Sequence, residues 1–218
     1  MKKNIPHSQK VLNVWGIILI IWAFYRLKIK MPEWFDELIA KPIVFVLPVY
    51  YFISKIEKKN FFSSLNLSFK SIRKDFLISF IISLIFLGTI IFAKWINNKE
   101  IIFLKQGINQ TIFFYIVFIS LAGAASEQIL STGFVFKRLF EESKNFYQTA
   151  FFNAILFFFL HVPLRFTIPG LIGNQLIFLM LTDIFLSILN SYFFVNYKSL
   201  NIPIFIHAFY NIIVTLFF

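Results

Sequence analysis

The feature that most constrains this chain is a series of unbroken apolar runs, among them Val11 to Phe24, Phe76 to Ala93 and Thr111 to Ala125. Runs approaching 20 residues match a hydrocarbon layer of roughly 30 Å at about 1.5 Å of helical rise per residue. In lipid every backbone N–H and C=O must be satisfied within the protein, which leaves helices or a closed barrel. The runs are continuous instead of alternating, so they read as helices. Composition agrees, because 59% of the 218 residues are hydrophobic and the mean hydropathy is +0.78, whereas a soluble domain is roughly 45–50% apolar. The 33 Phe are read as lipid-facing and core bulk.

The expected fold class is all-α, a polytopic transmembrane helical bundle of about seven spans, with six to eight as the range. The spans lie near 11–27, 38–54, 76–95, 111–136, 147–162, 171–197 and 203–218. The fourth and sixth are long enough to be tilted, kinked or split. No internal repeat, linker or second domain is visible, so residues 1–218 read as a single integral membrane domain. The first run has no A-x-A-like cleavage site and leads into Arg26, Lys28 and Lys30, which marks it as a retained span.

A net charge of +11 invites a nucleic-acid partner. The Lys and Arg sit in loops between apolar spans, however, where the positive-inside rule accounts for them, so no nucleic acid is expected. The strongest basic loop carries Lys55, Lys58, Lys59, Lys70, Arg73 and Lys74 and should be cytoplasmic. Counting spans from it places the N-terminus (Lys2, Lys3, Lys10) inside, together with Lys137, Arg138, Lys144 and Lys198. Arg26, Lys28 and Lys30 then fall outside, and the nearby Glu33, Asp36 and Glu37 hardly offset them. With no Cys in the chain, disulfide and thiol chemistry are excluded.

Ionisable groups at membrane depth are costly, so each demands an explanation. The candidates are Glu127, His161, Asp183 and His207. His7, in the polar N-terminal tail, is read as merely solvated. Glu127 follows the small-residue stretch Leu121 to Ser126, which permits close helix approach. His161 ends an apolar run shortly before Pro163, and His207 and Asn211 are spaced i, i+4 on one face of the last helix. Singly, each has a bland reading as a satisfied interhelical polar group. Together they supply what peptide hydrolysis needs: a carboxylate and a His to orient and deprotonate water, with a second His and an amide to donate to the oxyanion.

These residues also carry a resemblance. The pattern E-E-x-x-x-R, then F-x-x-x-H, then H-x-x-x-N is that of the CPBP family of intramembrane proteases. This family is also called the CAAX-protease and bacteriocin-processing, or ABI, family, and it includes the type II CAAX prenyl endopeptidases. The chain is similar to it over roughly residues 111–218, with Glu127 to Thr132, Phe157 to His161 and His207 to Asn211 as the three motifs. The resemblance implies that Glu127 and His161 activate water and that His207 and Asn211 support the oxyanion. It further implies a peptide or protein substrate, of which a lipidated one is a form.

Two positions depart from the pattern: Gln128 stands for the second Glu and Thr132 for the Arg. The pair is spaced i, i+4, and a neutral hydrogen-bonding pair there could replace a structural ion pair. No catalytic metal is favoured. The alternative is a divalent metal such as zinc on Glu127, His161 and His207 with water in the fourth position. A zinc peptidase usually needs a separate base, and Gln128 cannot serve as one. Asp183 is left unassigned. Two other functions compete with a peptidase: a catalytically silent relative acting as a bacteriocin-immunity or scaffold protein, and a transporter component. The lack of repeats weighs against the transporter.

Overall fold

The computed structural model describes residues 6–29, 31–98, 107–165 and 173–217. Lys2, Lys3 and Lys30 of the charge pattern, the first two residues of the sixth expected span and Phe218 lie outside the described residues.

The fold is an all-α bundle. Helix α1 is His7–Lys28, α2 is Glu33–Ile56, α3 is the short Phe61–Ser64 and α4 is Ile72–Asn98. Helix α5 is Gln110–Ser143, α6 is Phe146–Arg165, α7 is Gly173–Tyr197 and α8 is Asn201–Phe217. Among the described residues, six helices are long and apolar enough to cross a membrane, and α8 is a shorter apolar helix. The protein is a multi-pass integral membrane protein.

Local chemistry sets the helix ends. Asn60 and Asn109 cap α3 and α5, their side-chain oxygens accepting from Ser63 N–H at 3.1 Å and Ile112 N–H at 2.9 Å. Lys144, in the left-handed region at φ 55°, ends α5. Two helices depart from regular α geometry. Helix α2 widens into π-helical turns at Asp36–Ala40, Pro42–Val46 and Phe52–Ile56. Pro42 and Pro48 lack the N–H that an α-helical ladder needs. Helix α5 passes into a π-helical stretch, Ile129–Phe136, straight after Gln128. The fourth span is nonetheless one continuous helix, Gln110–Ser143, and α7 likewise runs unbroken from Gly173 to Tyr197.

The largest core cluster joins α1, α2, α5 and α6 through Ile18, Trp22, Phe45, Phe52, Phe134 and Leu160. Phe45, Phe52, Phe134, Phe136 and Phe157 are fully buried, while Phe24, Phe69 and Phe118 point outward. At one end of the bundle Ser8 donates to Glu142, and Lys137 Nζ donates to the Ser64 carbonyl at 2.8 Å and to Asn66 Oδ1 at 2.7 Å. Leu200 N–H donates to the Asn66 carbonyl at 3.0 Å. These bonds gather the basic connections onto a single face.

Two sequence readings are corrected here. His7 is not simply solvated: it opens α1, lies 3.2 Å from a Glu57 oxygen and tilts against Phe52. Asp36 and Glu37 are not loop acids but part of α2, and buried Asp36 pairs with Arg26 and accepts from Tyr25. Arg26 is an ion-paired residue within α1.

Candidate active site

Helix α5 brings Glu127 and Gln128 to the point where its α-helical turns give way to the π-helical stretch. Small residues precede them, and Gly123 leaves room for a neighbouring side chain. A Cβ there would fall on the carboxylate of Glu37 from α2. The absence of a side chain thus lets the polar face of α2 reach the level of Glu127.

Glu127 is 5% exposed and holds two different environments at its two oxygens. Oε1 accepts from Lys41 Nζ at 2.6 Å. Lys41 Nζ also donates to both oxygens of Glu37, one turn earlier on α2, at 2.6 Å each. Oε2 is buried without a hydrogen bond, 3.4 Å from His161 Nε2 and 3.6 Å from His207 Nε2. Buried carboxylate oxygens are normally satisfied. This one is open toward two imidazole nitrogens from two other helices, α6 and α8.

The two rings are held differently. His161 Nδ1 bonds to the Phe157 carbonyl at 3.0 Å. A carbonyl only accepts, so Nδ1 carries a proton, and in the neutral ring Nε2 then presents a lone pair to Glu127. His207 Nδ1 lies 3.0 Å from Gln128 Nε2, and Thr132 Oγ1 donates to Gln128 Oε1 at 2.6 Å. With the amide so assigned, Gln128 donates to Nδ1 and the proton of His207 sits on Nε2. With both rings neutral, His161 offers an acceptor and His207 a donor to the same small space. Phe157 packs against both rings, with centroids 4.6 Å from His161 and 5.7 Å from His207.

The structure thus brings Glu127, His161 and His207 together. Asn211 lies one turn beyond His207 on α8, partly buried. No hydrogen bond among the described residues ties it to the other three. Gln128 and Thr132 form the neutral pair that their spacing suggested, and the pair bonds to a site histidine. Asp183 is buried on α7, within electrostatic range of His161 and His207.

Among the described residues, no group of three or more His, Asp or Glu is arranged to hold a metal ion. A lysine ammonium is already bonded to the carboxylate that would be shared with the cation.

Sequence reasoning passed over Lys41 and Glu37. The signal was present: Lys41 falls inside the expected span 38–54, four residues after an acid. A cation at membrane depth warrants the same question as Glu127.

Residues 109–213 match the family model of type II CAAX prenyl endopeptidase Rce1-like proteins. The matched segment contains Glu127, His161, His207 and Asn211. It bears out the resemblance to the CAAX-protease family, a family of membrane proteases. No curated protein and no solved structure gives a significant match.

Proposed function

We propose that this chain is an intramembrane endopeptidase that hydrolyses a peptide bond near the membrane with water activated by Glu127 and His161. The observation that carries the reading is the open, buried Oε2 of Glu127 between Nε2 of His161 and Nε2 of His207. A water bonded to Oε2 and to the lone pair of His161 Nε2 gives up a proton as its oxygen attacks the substrate carbonyl. The N–H of His207 Nε2 donates to the oxygen that becomes negative, and the Asn211 amide is the second donor. Collapse of the tetrahedral intermediate breaks the C–N bond, and the proton taken from water passes to the leaving amine. The neutral Gln128–Thr132 pair favours a working site, because it holds His207 in the donor form this step needs.

The substrate is a peptide or protein segment at the membrane, of which a lipidated C-terminus is one form. The whole chain acts as one integral membrane unit, without nucleic acid. The basic face, and with it the N-terminus, lies in the cytoplasm by the positive-inside rule.

The test uses the purified full chain in lipid nanodiscs and a quenched peptide library that includes prenylated cysteine peptides. Glu127→Gln and His161→Ala should each lower kcat by about 10²–10⁴-fold. Cleavage unchanged by both would sink the mechanism. A folded wild type that cleaves nothing in the library would favour the silent relative.

A further inference from the structure

We propose that Lys41 is a positioning residue of this site: its ammonium, held by Glu37, fixes Oε1 of Glu127 so that only Oε2 faces the two histidines. The inference rests on the reading of Glu127 as the water-activating carboxylate. It adds a helix from outside the matched segment, since Lys41 and Glu37 lie on α2 and the match begins at residue 109.

The geometry carries the argument. A Glu side chain has two equivalent oxygens and a broad terminal torsion, so an unanchored carboxylate would present either oxygen to water. Here Lys41 Nζ sits 2.6 Å from Oε1, and three of its bonds go to carboxylate oxygens. Three bonds satisfy the three donors of an ammonium. Lys41 is 7% exposed, so water does not compete for those donors. The ammonium is thereby anchored from its own helix, and Gly123 leaves the room that the anchor occupies.

Charge follows the same logic. Glu127 is faced by Lys41 and Glu37 from α2, by His161 from α6 and by His207 from α8, with Asp183 of α7 in range of both rings. Lys41 is the one permanent cation in that set. A buried carboxylate without a partner tends to take up a proton, and a protonated Glu127 cannot accept one from water.

The experiment has two arms on the full chain in nanodiscs. A hydrophobic carbodiimide reacts with protonated buried carboxyls, and the adduct at Glu127 is counted by mass spectrometry without any substrate. Lys41→Met should label at Glu127 about tenfold faster than wild type or more, and Lys41→Arg no faster. In the activity arm, Lys41→Met should lower kcat about 10²-fold with KM within about threefold, and Lys41→Arg should restore most of it. Equal labelling in wild type and Lys41→Met would overturn the proposal. A folded Lys41→Met with wild-type kcat would overturn it as well. If Lys41→Met does not fold, Lys41→Gln, which keeps a polar end without the charge, is labelled in its place and read by the same two outcomes. Failure of the underlying reading looks different: there Glu127→Gln itself keeps full activity, whatever the Lys41 variants do.

Discussion

Arg138→Met should be among the most destabilising single changes at the basic face, and the structure sets the scale. Arg138 is 4% exposed and forms a two-pronged pair with Glu57, Nε to Oε1 at 2.8 Å and Nη2 to Oε2 at 2.7 Å. Its Nη1 donates to the Gly133 carbonyl at 3.0 Å, its Nη2 to Ser64 Oγ at 2.9 Å, and the guanidinium lies 4.7 Å over the Phe134 ring. Removing one partner of a buried pair leaves the other charge uncompensated and costs about 3–5 kcal/mol. The Gly133 carbonyl loses a donor as well, worth about 1 kcal/mol. His7 lies 3.2 Å from Glu57 and remains a second neighbour of the carboxylate. The net expectation is a loss of about 4 kcal/mol.

The assay is SDS-titrated unfolding in mixed micelles, followed by tryptophan fluorescence, on Arg138→Met, Glu57→Leu and the double variant. The double variant should recover about 2 kcal/mol or more relative to Arg138→Met, because an apolar pair leaves no buried charge. Burial pushes the Glu57 carboxyl up, but the hydrogen bonds and charge of Arg138 outweigh it and hold the carboxyl below its ordinary 4.5. A depressed carboxyl contributes stability above its unfolded value and loses it as pH falls through the folded one. Wild type should therefore weaken below about pH 4.5 more steeply than Arg138→Met does. A single variant within about 1 kcal/mol of wild type, or no more stable a double variant, would refute the reasoning.

Three further outcomes follow from the site. Gln128→Glu forces a proton onto His207 Nδ1, withdraws the neutral Nε2 donor and should lower kcat by about 10²–10³-fold; adding Thr132→Arg should recover part of that, as steady-state kinetics on the library substrate would show. Thr132→Val removes the hydroxyl that orients the Gln128 amide and should cost about 1 kcal/mol in the same unfolding assay, with a several-fold drop in kcat. Gly123→Ala places a methyl on the Glu37 carboxylate; it should cost about 1–3 kcal/mol and speed carbodiimide labelling of Glu127.

Much of this architecture is written in local sequence. Run length and continuity place the spans to within a few residues, because each helix must satisfy its own backbone and match the bilayer wherever its neighbours lie. Glu127, His161 and His207 stand out for a similar reason: a titratable group amid apolar residues is anomalous without any knowledge of its contacts. The i, i+4 spacing of Gln128 and Thr132 likewise foretells their bond, since helical neighbours meet at that interval. Chain-distant contacts carry no such signature. Lys41 and Glu37 meet Glu127 only because α2 packs on the small-residue face of α5, and that docking is a property of two surfaces. Which imidazole nitrogen holds the proton also depends on partners, a carbonyl one turn back for His161 and an amide on another helix for His207. The pairing of His7 is hidden for the same reason, as its partner Glu57 lies far along the chain, just beyond α2. The sequence by itself determined that the chain spans the membrane and which polar groups it carries there. Only the tertiary structure decided which of those groups share a carboxylate and at which oxygen, because hydrogen-bond direction is set by the atoms opposite.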